Sequence, residues 1–576
     1  MTTLDDLRQA GVIDGLDQAF ARTLERHAPD ADPSVLLAAA LASRAPTHGH
    51  AAVDLATVGE LLELERERDA EGPIPALPVA ATWCKALAKA PTLVRGPDDD
   101  RPAPLVLDGT LLYLDRAFRH ECALASIVRK RSTELRADVH EGALKKGLQE
   151  LFPPDPTWPG PDLQRLAAET AMRRGFTVIA GGPGTGKTAT VIKIIDLLRR
   201  QAVARKVPPP RIVMVAPTGK AAARLTESVR GSGIEASTIH RALGLGPHLD
   251  ADAPVDPLAA ELVVVDEASM VDLSLMARLL GAVPEHARVV LLGDPDQLAS
   301  VEHGSVLGDL VNAGGDVGKA VVRLERSWRF DPKGGIARLA KAINSDDPAA
   351  ALAVFADPSC PEVTRVELKG AGVRGLEHAL RQLCVDAHRR VVDAKTPVDA
   401  LKALGGFRVL CAHRHGAFGV ERIGPRIQQW LATEGLVTPD GPFYAHQPVM
   451  VLENDDRVRL YNGDTGVVRD VGGELRAFFP GAEADSIRDF APARLPRNEP
   501  VYASTVHKSQ GSEYGHVVVV LPDEASPIVT RELLYTAVTR ASKTVTVIGS
   551  EDVLRVGIGL PTLRVTGLRR RAGAKS

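Results

Sequence analysis

The sequence predicts an α/β protein with two units of parallel sheet flanked by helices. A mainly helical region precedes them, and a small β insert interrupts the second. Short, uninterrupted apolar runs recur from about residue 177: FTVIA, RIVMVAP, ELVVVDE and ARVVLLGD, then FRVLCAH, HVVVVLP and TVTVIGS. Strands that are apolar at every position are buried on both faces, as in parallel sheets covered by helices. The runs fall into two groups, which divides this part of the chain into units of roughly 151–315 and 316–576. A length of 576 residues also exceeds what one hydrophobic core serves, and about three to five structural units of ordinary size are expected.

Along residues 1–150 the stretch PSVLLAAALASRA reads as a helix, with Asp32 as its N-cap and Pro33 at the first helical position. PLVLDGTLLYL reads as a hairpin turning on Asp108-Gly109. No catalytic constellation is found in this region. The segment LFPPDPTWPGPD carries five prolines and marks a boundary, because proline neither continues a helix nor donates to a sheet. Between about 436 and 500, QPVMVLEN, TGVVRDV and ELRAFF alternate with Asn-Gly and Gly-Gly turns, as in a small antiparallel insert.

Composition narrows the function. Hydrophobic residues at 44% and charged residues at 25% are ordinary for a globular chain, and no apolar run approaches the ~20 residues of a membrane span. The start, MTTLDDLRQAGVIDG, lacks a basic n-region and an apolar h-region, so the cytoplasm is expected. Cys84, Cys122, Cys360, Cys384 and Cys411 have neither CxxC nor Cys/His ligand spacing and read as buried thiols. A net charge of −3 argues against bulk electrostatic coating of DNA, so any DNA contact must be a local track. Arg569, Arg570, Arg571 and Lys575 form a basic tail that reads as solvated.

The chemistry begins at Gly181-Gly182-Pro183-Gly184-Thr185-Gly186-Lys187-Thr188, which follows the strand FTVIA and opens the helix TATVIKIIDLLRR. This is a P-loop in its expected context. Its backbone N–H groups wrap phosphates, Lys187 reaches the β/γ oxygens, and the Thr188 hydroxyl holds Mg²⁺. ELVVVDEASM then places Asp266 and Glu267 at a strand's carboxyl end, where ligands of open α/β sheets gather. Asp266 suits Mg²⁺ held through water, and Glu267 suits the base that activates the attacking water. The next strand ends in GDPDQL, where the neutral amide of Gln297 fits a γ-phosphate sensor. Arg329 in LERSWRF and Arg540 in LLYTAVTRA, both in the second α/β unit, are candidate cations for the γ-phosphate.

In order and spacing, GGPGTGKT, APTGKAA, VVVDEASM, GDPDQL, SWRF, TVHKSQGSE and YTAVTRA resemble the motifs of superfamily 1 helicases, and their wording resembles the RecD branch. The resemblance covers about residues 160–550. It implies two RecA-like motor domains with ATP and Mg²⁺ between them, Arg329 and Arg540 as arginine fingers, and Gln164 in DLQRLAAE as an adenine-reading glutamine. It also implies a single-stranded DNA track: Pro217, Thr218 and Gly219 in APTGKAA, Thr238 and His240 in STIHRAL, and Thr505, His507 and Lys508 in STVHKSQGSE. Hydroxyls, backbone amides and one lysine suit phosphate positioning without base readout. The stretch Tyr461-Asn462-Gly463-Asp464 is similar to the β-barrel inserted in the second motor domain of this branch, which adds Asn462 to the track.

LASRAPTHGHAAVDL and LYLDRAFRHECALA resemble the N-terminal domain of the branch members that work beside RecB and RecC. This points to residues 1–150 as a partner-binding domain in a RecB/RecC-type heterotrimer. The function implied is an ATP-dependent 5′-to-3′ DNA translocase and helicase acting on duplex ends in double-strand-break repair. No paired-acid-plus-lysine nuclease motif is evident outside the motor, so nuclease chemistry would fall to the RecB-like partner. The alternatives are a stand-alone helicase on DNA or RNA, and a structural subunit with a vestigial ATPase. The intact set Lys187, Thr188, Asp266, Glu267, Gln297, Arg329 and Arg540 argues against the last.

Overall fold

The computed structural model describes residues 2–65, 73–156, 160–246, 254–368, 372–481 and 485–574. Its first 114 residues have a core of their own. The Asp14 carboxylate caps Gly15–His27 by accepting from the N–H groups of Leu16 and Asp17. Asp32 caps Pro33–Arg44 through Ser34, as the sequence suggested. These helices close on Leu7, Leu41, Trp83, Leu87 and Leu105, and the Trp83 indole N–H is satisfied by the Ser34 carbonyl at 2.6 Å. The hairpin of Leu105–Asp108 with Leu111–Leu114 forms, but Asp108 pairs with Leu111. Its two-residue loop is therefore Gly109-Thr110, one position later than expected. Gly109, at φ +67°, takes the position that most needs a glycine.

Helices Asp115–Thr133 and Glu141–Leu151 do not belong to this unit, which corrects the expected boundary at 150. Leu124, Ala125 and Val128 are buried in one core with Val263, Val289 and Leu291 of the first large sheet. Leu144, Leu148 and Phe152 join Ile194 and Leu198 on its other face. The Arg131 guanidinium is buried and donates to the carbonyls of Val283, Pro284 and Ala287. The N-terminal unit thus ends near residue 114. Within the proline-rich segment, 157–159 lies outside the described residues.

The first large sheet has six parallel strands in the order Val321–Leu324, Phe176–Gly181, Arg288–Gly293, Leu262–Val265, Ile212–Ala216, Ala236–Thr238. Val321–Leu324 pairs with the strand that enters the P-loop, so the first unit extends past the expected boundary at 315 to about residue 324. The chain crosses to the second unit in the segment that follows. There five parallel strands run in the order Val363–Val366, Ala541–Ile548, Tyr514–Val520, Phe407–Cys411, Ala503–Thr505.

The insert is antiparallel, with five strands: Pro448–Val451, Thr465–Val471, Glu474–Pro480, Ile487–Phe490 and Asn498–Pro500. Its core is Val449, Val451, Leu460, Val468, Ala477 and Phe479. The pairing is an open series, and among the described residues no pair joins its two edges into the expected barrel.

The basic tail is not solvated throughout. Leu568–Gly573 is a helix whose Leu568 and Ala572 complete the first core, and Arg571 donates to Glu121 at 2.9 Å and contacts Asp108. Lys575 lies outside the described residues. Cys360, Cys384 and Cys411 are buried as expected, whereas Cys84 and Cys122 are only half-buried. No described helix is long and apolar enough to cross a membrane.

Candidate functional site

The P-loop forms where Phe176–Gly181 meets Lys187–Arg205. Gly184 and Gly186 adopt φ of +75° and +84°, and a Cβ on Gly184 would fall 2.3 Å from the Arg329 Cβ. Glycine is needed there for both conformation and space. Lys187 curls over the loop, its Nζ donating to the carbonyls of Gly181 at 2.5 Å and Gly182 at 3.0 Å. Gln164 donates through Nε2 to the Thr185 carbonyl at 3.1 Å, which fixes it beside the loop.

Asp266 and Glu267 leave the tip of Leu262–Val265. Glu267 sits at φ +51°, a conformation that costs a non-glycine residue about 1–3 kcal/mol and concentrates at functional sites. Its N–H donates to the Asp266 carboxylate at 2.9 Å. Burial, and then the charge of Glu267, push the Asp266 carboxyl far above the ordinary carboxylate range. One strand over, the buried Asp294 accepts from Gln297 Nε2 at 2.9 Å and from the Tyr535 hydroxyl at 3.1 Å. Burial lifts its carboxyl to about 6.

The Tyr535 contact crosses between the units. Gln297 Oε1 accepts from Arg540 Nη2 at 2.7 Å, and Arg540 also donates to the carbonyls of Ser512 at 3.2 Å and Thr536 at 3.3 Å. Arg329 lies in the connecting segment after Val321–Leu324, not in the body of the second unit as expected, because the strand before it belongs to the first sheet. Its guanidinium pairs with Glu513 at 2.6 Å.

One cavity of about 520 Å³ is lined by Gln164, Pro183, Gly184, Thr185, Gly186, Lys187, Thr188, Asp266, Glu267, Gln297, Arg329 and Arg540. Gly181 and Gly182 stand behind it as the acceptors for Lys187. The sequence reading missed Arg224, Asp294, Trp328, Ser512 and Glu513 in the same lining. The ring of Trp328 is 60% exposed. The Arg326 guanidinium stacks 3.8 Å from its centroid. The adjacency of Trp328 to Arg329 in SWRF was the available signal.

The candidate DNA residues collect at the carboxyl ends of strands near one edge of each sheet and in the insert loop. Pro217, Thr218 and Gly219 follow Ile212–Ala216, and Ala216 is in register with Thr238. Thr218 caps Gly219–Ser228 by accepting from Ala221 N–H at 3.2 Å. Gly219 packs against Tyr461 so closely that a Cβ would lie 2.5 Å from the ring. Asn462, next to it, is exposed, as is His240. Thr505 ends the edge strand of the second sheet. Lys508 is held by Glu499 at 2.9 Å, and His507 is half-buried, which favours its neutral form. The structure thus joins the 217–219 group to Thr238 and the insert loop. Thr505, His507 and Lys508 form a second group on the other unit, and His240 belongs with Thr238, whose hydroxyl caps the short helix Ile239–Ala242 that carries it.

Three family models match the chain. They are the N-terminal domain of RecBCD enzyme subunit RecD at residues 9–113, an AAA domain at 161–360, and a UvrD-like helicase C-terminal domain at 500–548. The first ends where the independent N-terminal core ends. The chain is 40% identical to the RecBCD enzyme subunit RecD of Mycolicibacterium smegmatis, over 98% of both chains. It is also 40% identical to that of Mycobacterium tuberculosis, over 98% of this chain and 95% of the relative. The ATP-dependent RecD2 DNA helicase of Deinococcus radiodurans is 30% identical, over 79% of this chain and 58% of its own length. End-to-end identity at this level, on a P-loop cavity shared by two parallel-sheet units, places the chain in the RecD family of helicases.

Proposed function

We propose that the chain is an ATP-dependent 5′-to-3′ translocase on single-stranded DNA and a DNA helicase. In this reading it works as the RecD-type subunit beside RecB-like and RecC-like partners in double-strand-break repair and recombination. The observation that carries the motor reading is the convergence of Lys187, Glu267, Gln297, Arg329 and Arg540 on one cavity between two units. Phosphoryl transfer is catalysed chiefly by positioning and by charge placed around the γ-phosphate. Lys187 would leave its loop carbonyls for the β/γ oxygens, and Arg329 and Arg540 would supply charge from beyond the first sheet. Glu267 would orient and deprotonate the attacking water, with Gln297 sensing the γ-phosphate across the hydrogen bond to Arg540. Gln164 would read the adenine beside the exposed ring of Trp328.

Thr188 and Asp266 line the cavity as two hard oxygen donors, which suits Mg²⁺ shared with phosphate oxygens. When bound, that cation would neutralise charge on the β- and γ-phosphates.

Opening and closing of the cleft would move the 217–219, 238–240 and 462 grip against the 505–508 grip. Because each base-pair step holds about 1.4 kcal/mol of stacking on average, unwinding must be driven by that cycle. The coverage of 98% and 95% of the two RecD subunits' own length, against 58% of the RecD2 protein, supports the partner-dependent reading over a stand-alone helicase. Nuclease activity of the assembly would reside on the RecB-like partner. The test is to isolate the native chain from its own cells and assay unwinding of 5′- and 3′-tailed duplexes. A large complex that opens a duplex through the 5′ tail by way of this subunit is expected. A species near 61.3 kDa would favour the stand-alone reading, and unwinding from 3′ tails alone would overturn the polarity.

A further inference from the structure

Arg224 stands on the second turn of Gly219–Ser228, the helix whose first residues are the candidate DNA grip, and its side chain lines the nucleotide cavity. No motif placed it there. Its guanidinium has no hydrogen-bond or carboxylate partner among the described residues, unlike Arg329 on Glu513 and Arg540 on Gln297. The charged and titratable groups that feel it are Lys220, Asp464, Tyr514 and Arg540. Lys220 on the same helix donates to Ser512 Oγ, and the Ser512 carbonyl accepts from Arg540, so the helix is set against the segment that also holds Arg540.

The helix that carries it is tied through Lys220 to the insert loop and to the second unit. Lys220, one turn before Arg224 and on the same face, donates to the Gly463 carbonyl at 2.9 Å and to Ser512 Oγ at 2.8 Å. Gly463 is in the insert loop beside Asn462. Ser512 and Glu513 hold the two other arginines. Gly219 and Arg224 are only about 8 Å apart along the helix axis, and a helix of this length moves as a rigid piece.

From this placement we propose that Arg224 is a third arginine for the terminal phosphate of ATP, set by the DNA-gripping helix of the first unit while Arg329 and Arg540 are set by closure of the cleft. DNA phosphates seated at Thr218 and Gly219 would fix the helix and so fix Arg224 on the γ-phosphate. The assignment rests on the cavity being an ATP site and adds a route by which DNA occupancy reaches it.

The test uses the full chain with Mg²⁺, a non-hydrolysable ATP analogue or ADP, and a single-stranded oligonucleotide, with affinities read by fluorescence competition. Arg224→Gln should weaken the analogue at least tenfold with oligonucleotide bound while ADP affinity stays within twofold, and Arg224→Lys should restore most of the preference. Because Arg224 is exposed, neither change removes core packing, and an unchanged melting curve checks this. An unchanged analogue-to-ADP ratio in Arg224→Gln overturns the assignment, and so does an equal loss for both nucleotides. A parent chain that binds neither nucleotide overturns the ATP reading itself and this assignment with it.

Discussion

Two truncations separate the N-terminal unit from the motor, and the structure gives them different fates. A chain starting at Gly160 loses Leu124, Val128, Leu144, Leu148 and Phe152, each 3% exposed or less, from both faces of the first sheet. At about 1.5–3 kcal/mol per fully buried apolar side chain, this removes roughly 10 kcal/mol, comparable to the ~5–15 kcal/mol that keeps a domain folded. It also strips Arg131 from the carbonyls of Val283, Pro284 and Ala287. A chain starting at Asp115 keeps all of these. Its losses are the cover of Phe118, 4% exposed and edge-to-face with Tyr113, at roughly 2 kcal/mol, the Asp108–Arg571 and Arg95–Asp115 pairs, the Tyr113–Glu121 hydrogen bond, and the backbone bonds that join Gly49 to Gly304 and Ala51 to Val565. Both chains are to be purified and unfolded in urea, then assayed for ATP turnover with single-stranded DNA. The longer chain should unfold cooperatively and keep DNA-stimulated turnover while losing RecB- and RecC-like partners on co-purification. The shorter should aggregate or melt without cooperativity. Equal cooperativity in the two would refute the assignment of the 115–151 helices to the motor core.

Glu267→Gln should bind ATP with near-normal affinity yet hydrolyse it slowly, since the amide keeps the shape but takes no proton; Lys187→Ala should weaken nucleotide binding as well, and direct binding titrations distinguish the two. Arg540→Ala should lower steady-state turnover by ~10³-fold or more, and near-normal rates would remove it from the site. Asp294→Asn tests the cost of a buried charge. The folded carboxyl titrates near 6 against an ordinary 3.8, so protonation stabilises the fold below that ordinary value, and the contribution is lost as pH rises through 6. Urea unfolding should therefore show the variant gaining on the parent between pH 4 and 7, by at most about 3 kcal/mol. A difference that does not change with pH would contradict the buried-charge account.

Much of this architecture was legible because its signals are local. FTVIA, ELVVVDE and ARVVLLGD are apolar at every position, and the P-loop glycines, Lys187, Asp266, Glu267 and Gln297 sit at the ends of those runs. What failed depends on long-range packing. VVRL is four residues long with an exposed Arg323, and only its pairing with the P-loop strand assigns it to the first sheet. Asp115–Thr133 has an apolar stripe, but a stripe does not say which sheet will cover it. The tail reads as four basic residues until Glu121 and Asp108 are brought beside Arg571. Arg224 is exposed and belongs to no phosphate-binding pattern, so only the shape of the cleft discloses it.

In the proposed motor, DNA on the grips and ATP in the cleft are coupled through cleft closure, and steady-state ATP turnover of the full chain, with Mg²⁺, with and without single-stranded DNA, measures that coupling. The account predicts a low rate alone and a strong rise with DNA. Equal rates in the two conditions would contradict it.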